Sequence, residues 1–394
     1  MDPAIITRLR SKGRPGRSAL DAAAFGSQLI GVGGPLPAVP AADDPRWSEL
    51  EDGLREALDK RLTLAFLGSA SSGKDSAIKA LFGVDFGEIS PIPGSTDRLR
   101  VVSLDGEDRF LLVNAPGFGD VRPEVDALAR KAMESLDLVI YLVNCEGGAT
   151  AQERGDLDAI RRRGAGKWPT LVCLNKIDLI RPNQREDFVA RTLSQLGLQP
   201  GEAVLCAFDP LPALSREPIG LDELVGRIDT LLRERGKELA FAKILRDRRL
   251  ACQPLIARAA RRAAIAGAVP VPGADITAIT WVQVDLVERI AAVHGQRLDR
   301  EVVFWLVGEL LASGSKGFIQ WAIQALKTAG WLPGAQVAQA ATSALAGAVA
   351  MATTHAMGEV AIRFVQSEQR LTVSELRAVF DAVAFRYAPQ GAGP

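Results

Sequence analysis

The heptapeptide GSASSGK, Gly68 to Lys74, constrains this chain more than any other stretch. It lies between an apolar run, Leu62–Leu67, and a helical pattern, AIKALFG. A strand, a glycine-rich turn and a helix start in that order form a phosphate-binding loop. Glycines let backbone N–H groups close around phosphate oxygens, and the helix N-terminus adds partial positive charge. Gly68, Ser69, Ala70, Ser71, Ser72 and Gly73 then make the loop, and Lys74 is the side chain that reaches terminal phosphates. Three more segments follow in order: PGST (Pro93–Thr96), NAPG (Asn114–Gly117) and NKID (Asn175–Asp178). The last comes directly after a second apolar run, Pro169–Leu174.

At 394 residues with 47% apolar content, the chain holds enough for two cores. Residues 1–45 read as a basic tail and a Gly/Pro linker, 46–236 as an α/β domain and 237–388 as an all-helical domain. A helix over Trp47–Lys60 leads into strands at Leu62–Leu67, Leu99–Leu104, Arg109–Asn114, Leu138–Asn144, Thr170–Asn175 and Ala203–Ala207. The dipeptide Asp105-Gly106 between β-rich runs predicts a hairpin. Helical patterns separate the other strands, so the fold class is a doubly wound, mostly parallel six-stranded sheet with one antiparallel edge strand. Ligands bind such sheets at the carboxyl ends of the strands, where the loop sits. From Glu238 onward the chain reads as helices: Glu238–Gly267, Ile276–His294, Glu301–Ala312, Gly317–Ala329, Ala335–Gln366 and Thr372–Tyr387.

Over Leu62 to Leu232 these segments resemble the Era-like family of P-loop GTPases, in the translation-factor-related class, and GKDSAIKALFG looks like that family's loop-into-helix signature. The resemblance implies a Ras-like fold, GTP/GDP as ligand and Mg²⁺ as cofactor. Gly68, Gly73 and Lys74 would hold phosphates. Thr96 matches the switch I threonine, which reports the γ-phosphate and the metal, and Gly117 matches the switch II glycine. Lys74, Thr96 and Gly117 are therefore the candidate catalytic positions. Asn175 would brace the loops, Lys176 would lay its stem on the base, and Asp178 would accept the N1–H and N2–H of guanine. Cys206 and Ala207 stand where the family has Ser-Ala, and the Ala207 N–H would face guanine O6.

Two positions depart from the family pattern. The residue after the loop lysine, a Ser or Thr that ligates Mg²⁺, is here Asp75, followed by Ser76. The switch II motif, which begins with Asp, begins here with Asn114. One carboxylate is gained and one lost around the same ion, so Asp75 and Thr96 become the candidate metal ligands, with Asn114 contacting a metal-bound water. Asp75 repelling the β-phosphate is the competing reading. Past the glycine stands Phe118, which cannot polarise water as a glutamine does in many regulatory GTPases. Slow hydrolysis follows, relayed to the helical half. A nucleotide-gated binding or scaffold protein with negligible turnover is the alternative.

The helical half resembles the uncharacterised helical domain that trails Era-like G domains, on the stretch AGAVPVPGADITAITWVQVDLVERIAAVHGQ (Ala266–Gln296). No chemistry comes with it. Between Thr328 and Gly358 there is no Asp, Glu, Lys or Arg. That length would span a membrane, but Gln336, Gln339, Thr342, Ser343, Thr353, Thr354 and His355 dilute an Ala-built segment. A buried bundle helix, a membrane-associated hairpin with Ala263–Val284 and an oligomer seam all stay open.

Lys plus Arg and Asp plus Glu both number 47, so no global field recruits nucleic acid or membrane. Only Arg8, Arg10, Lys12, Arg14 and Arg17 form a local basic cluster, as a solvated tail or a contact for an anionic surface. The start reads as no secretory signal. Four cysteines without CxxC spacing suit reduced thiols, and a cytoplasmic setting, with or without attachment to the inner membrane, is expected. Guanine nucleotide is the expected partner; a protein partner, a homodimer and an anionic membrane surface stay open.

Overall fold

The computed structural model describes residues 44–85, 100–105, 107–115, 135–164, 167–211, 214–215, 217–268, 274–312, 318, 321–322, 325 and 335–389. PGST, Pro116–Phe118, the basic cluster and most of the expected helix Gly317–Ala329 lie outside these residues.

Six strands form one sheet in the order β2-β3-β1-β4-β5-β6. They are β1 (Leu62–Leu67), β2 (Arg100–Ser103), β3 (Phe110–Ala115), β4 (Leu138–Asn144), β5 (Thr170–Asn175) and β6 (Ala203–Leu205). All neighbours run parallel except β2 and β3, the predicted hairpin. Every residue of β1 is buried, which is why this strand reads as an unbroken apolar run and not as an alternation. Because β1 has β3 on one side and β4 on the other, the chain beyond its carboxyl end opens at the sheet's topological switch point.

Helices α1 (Pro45–Asp59), α2 (Lys74–Phe82), α3 (Ala151–Gly164), α4 (Arg185–Leu196) and α5 (Leu221–Arg233) follow the expected alternation. The expected helix Glu238–Gly267 is two helices, α6 (Glu238–Ile244) and α7 (Arg248–Ala268). Leu245 between them is extended, and the Arg246 N–H donates to the Leu81 carbonyl at 2.8 Å. A bond from the backbone of one element to the end of another outcompetes helix continuation here. Phe241 of α6 packs edge-on against Phe82, which packs edge-on against Phe66 of β1.

One compact unit of the structure is Arg55–Ala251, which includes α6 with the sheet. The other takes the described residues up to Leu54 together with those from Cys252 on. The start of α1 therefore belongs to the helical unit: Trp47 is 5% exposed, its ring 6.0 Å from that of Phe304, and Arg46 lies over Trp281.

The helical unit continues with α8 (Ala274–Val293), α9 (Arg300–Ala312), α10 (Ala335–Gln366) and α11 (Val373–Arg386). Thr372 and Glu375 form a capping box at the start of α11. Helix α10, free of Asp, Glu, Lys and Arg up to Gly358, packs against α8 and α11, burying Val349, Ala352, Met357, Val360 and Phe364. It approaches α7 closely: a Cβ added at Gly347 would lie 2.8 Å from the Ala264 carbonyl oxygen. By length and composition Ala340–Gln366 could cross a membrane, and 67% of its most apolar window is buried inside the protein.

Candidate functional site

The phosphate loop leaves β1 through two glycines that no other residue replaces. Gly68 has φ 144°, and a Cβ there would meet the Leu142 carbonyl oxygen at 2.2 Å; Gly73 has φ 93°, and its Cβ would meet Asn175 Nδ2 at 2.1 Å. Ser71 sits at φ 60° between them, a left-handed conformation that costs a non-glycine residue energy and persists because the loop around it is fixed. Lys74, 4% exposed, donates from Nζ to the Gly68 carbonyl at 2.9 Å and the Ser69 carbonyl at 2.8 Å. The ammonium thus closes the loop on itself. Burial lowers its pKa to about 8, against the pull of Asp75.

The base motif is tied to that loop through one side chain. Asn175 ends β5, is buried, and donates from Nδ2 to the Ser72 carbonyl at 2.9 Å; its Oδ1 accepts the Phe208 N–H at 3.3 Å. Lys176 adopts φ 64° and precedes a 3-10 turn, Ile177–Leu179, that holds the buried Asp178. Asp178 Oδ2 accepts the Leu211 N–H at 3.0 Å. Asn175 thus bonds both the phosphate loop and the segment after β6.

The Ala207 amide, expected to face guanine O6, is bonded within the chain. β6 ends at Leu205, and the Ala207 N–H donates to the Ile219 carbonyl at 3.0 Å within an antiparallel bridge just ahead of α5. An amide used there is not free for guanine O6. Its neighbour Phe208 makes only the longer bond to Asn175. Cys206 is fully buried, and the neighbouring Cys173 thiol and burial both push its pKa up, so it packs as a thiol and does not act as a nucleophile.

The two departures from the family pattern meet. Asn114 Nδ2 donates to Asp75 Oδ1 at 2.6 Å, joining the end of β3 to the first turn of α2. Asn114 stands beside Phe66 in the sheet, two residues before Gly68, and is 1% exposed. Among the described residues its buried Oδ1 has no hydrogen-bond partner, and neither has the Ser72 hydroxyl. An orphaned amide oxygen next to a carboxylate is a hard-oxygen donor set that suits Mg²⁺, which takes one or two carboxylates, waters and substrate phosphates. Ser76 follows in the same turn. Thr96 and Gly117, the other candidate catalytic positions, lie outside the described residues.

Sequence reasoning missed Glu153. It is 3% exposed in α3, and its carboxylate accepts from the Ser69 hydroxyl at 2.9 Å and from the Thr150 N–H and hydroxyl at 2.8 and 3.0 Å. The T-x-x-E spacing was a legible helix-start signal; that the same carboxylate buttresses the phosphate loop depends on the fold.

Comparison with known proteins gives two family matches. Residues 63–176 match a model described as 50S ribosome-binding GTPase, and residues 232–384 match a domain of unknown function, DUF697. GTPase Der of Thermosipho africanus is 26% identical over 195 residues, covering 46% of this chain and 42% of that protein. The tRNA modification GTPase MnmE of a Methylobacterium species is 34% identical over 142 residues, 34% of this chain and 32% of the relative. The chain thus spans less than half the length of these curated relatives. Among solved structures, Era in complex with MgGDPNP and 16S ribosomal RNA nucleotides aligns at a TM-score of 0.27 and 20% identity, over 51% of this chain and 67% of that one.

Proposed function

We propose that this chain, a P-loop GTPase domain followed by a C-terminal helical domain, is a guanine-nucleotide switch that hydrolyses GTP slowly. One observation carries the reading. Asn175 bonds the phosphate loop and the segment after β6 at once, which supports reading the phosphate loop and the Asp178 carboxylate as one site. Asp178 selects guanine, since a carboxylate pairs with two N–H donors there and repels the acceptor N1 of adenine. Lys74, released from the Gly68 and Ser69 carbonyls, turns to the β- and γ-phosphates, where its charge is worth more in a buried site than in water. Asp75 and Asn114 would hold Mg²⁺, which when bound draws charge from the phosphate oxygens.

Water attacks the γ-phosphorus without a side-chain base from the switch II motif, because the place of the water-orienting residue is Phe118. Turnover then rests on positioning and charge, which supports a low intrinsic rate. The same residue favours the second reading, a nucleotide-gated binding protein with negligible turnover. Helices α1 and α7 each contribute residues to both compact units, which supports a relay of nucleotide state into the helical domain. Four buried free thiols support a cytoplasmic setting, which cell fractionation tests.

Two measurements test the proposal. Native protein should bind GDP and GTP far more tightly than ADP or ATP, and Asp178→Ala should weaken GDP binding by about a hundredfold, as expected for losing two charge-assisted hydrogen bonds. ATP bound as tightly as GTP ends the guanine assignment. Phosphate release in single-turnover conditions then separates slow hydrolysis from none.

A further inference from the structure

The geometry points to a compensated exchange: in this chain the carboxylate that serves the nucleotide's metal ion has moved from the end of β3 to the start of α2, from position 114 to position 75. This rests on the guanine-nucleotide reading above. Three observations carry it. Asn114 Nδ2 lies 2.6 Å from Asp75 Oδ1, so the two side chains share one spot. That bond fixes the amide's orientation and turns Asn114 Oδ1 away from Asp75, into a buried position where no described residue donates to it. Asp75 is exposed, in the first turn of α2, and among the described residues no hydrogen bond uses its Oδ2.

Each observation asks for the same ligand. A buried carbonyl oxygen without a donor costs energy, and a metal-bound water would supply an O–H donor to Asn114. The Asp75 carboxylate beside it would supply the negative charge a divalent cation needs. The hydrogen bond also explains why the exchange is paired. With carboxylates at both positions, two negative charges would stand at hydrogen-bond distance and oppose each other. With Asn114 alone and a serine at position 75, no carboxylate would remain there. The pairing found here keeps one carboxylate and one amide at hydrogen-bond distance. Asp75 also gains from the helix N-terminus, where negative charge is favourable.

A double-mutant cycle read by binding tests it. The full chain is titrated with a fluorescent GDP analogue at Mg²⁺ concentrations from micromolar to ten millimolar, and melting with and without GDP and Mg²⁺ confirms that each variant is folded. Native affinity should rise with Mg²⁺. Asp75→Ser should shift the Mg²⁺ half-saturation upward by tenfold or more, and Asn114→Asp should weaken GDP binding at least tenfold at neutral pH. The double variant should return to within threefold of native on both measures. Asp75→Asn, which keeps the shape and loses the charge, should behave as Asp75→Ser does. Tighter GDP binding in Asp75→Ser, with Mg²⁺ dependence unchanged, would overturn the proposal in favour of phosphate repulsion. Additive defects in the double variant would overturn it too, as would native GDP binding indifferent to Mg²⁺. Failure of the native protein to bind GDP under every condition refutes the underlying switch reading instead, and the exchange with it.

Discussion

The same substitution, glycine to alanine inside a helix, should have opposite signs at two places in this molecule. Alanine is favoured over glycine in a helix interior by about 1 kcal/mol. At Gly155 in α3 an added methyl meets nothing within 4 Å, so Gly155→Ala should show that gain nearly undiminished. At Gly347 in α10 the methyl would lie 2.8 Å from the Ala264 carbonyl oxygen and 3.3 Å from the Ala268 Cβ. Both belong to the body of α7, where neither atom can rotate aside, so α7 and α10 must move apart. Overpacking of this kind costs about 1–3 kcal/mol, which outweighs the helix gain and leaves a net loss near 1 kcal/mol. For a unit of this size that lowers the melting temperature by about 2–4 °C. Urea unfolding followed by tryptophan fluorescence isolates the effect. Trp47, Trp281, Trp305 and Trp321 belong to the helical unit, whereas Trp168 alone of the described tryptophans belongs to the other. Hydrogen exchange along α3 reads Gly155→Ala. A rise in the urea midpoint of Gly347→Ala, matching the gain at Gly155, refutes the close approach of α7 and α10.

Three further expectations follow from buried charged groups. Glu288, 7% exposed in α8, keeps its proton up to about pH 8 because of burial and the nearby Glu51, Asp285 and Asp299 carboxylates. The unfolded chain loses that proton near its ordinary value of 4.5, so stability should fall as pH rises from about 4.5 to about 8, by up to about 1.4 kcal/mol per pH unit. Glu288→Gln should flatten this slope in urea melts, and an identical slope in the variant removes Glu288 as its cause. Lys74, whose pKa burial lowers to about 8, must take up a proton to bind phosphate at higher pH. GDP affinity should therefore be level below pH 8 and fall up to about tenfold per unit above it, a trend absent in Lys74→Arg. Glu153→Ala would leave the Ser69 hydroxyl and the Thr150 amide unpaired, each a loss of roughly 1–3 kcal/mol. It should weaken GDP binding about tenfold while the melt stays cooperative; an unchanged dissociation constant removes Glu153 from the site.

Much of the sheet was legible because fully buried parallel strands are unbroken apolar runs, as β1 and β4 are. The phosphate loop was legible because its glycines stand where backbone must pass close to other atoms. What the residues alone did not reveal depends on contacts across the fold. The Arg246-to-Leu81 bond that splits a helix joins positions far apart in sequence, and no local pattern announces it. Trp47 reads as the opening of the α/β domain because it precedes the first strand, yet its ring packs beside Phe304. Ala207 carries the family's residue at the family's position, but a bridge to Ile219 uses the amide the motif would reserve for the base. Glu153 shows only a helix-cap signal along the chain. Asp75 and Asn114 each read as a defect when taken singly, and their direct contact is what makes the pair intelligible.

The side chain of Asn175 has a consequence for how a ligand would be felt. It is a two-ended tie, one end on the loop around phosphate and the other beside the segment that frames the base, and Gly73 leaves it the room. A fragment that settles only one pole stiffens the other through this tie. Pyrophosphate should therefore help guanosine to bind although the two share no covalent bond, and a nucleotide should bind more tightly than its halves suggest for a reason lying in the protein. Shortening the tie, as in Asn175→Ala, would leave two sites that happen to be neighbours.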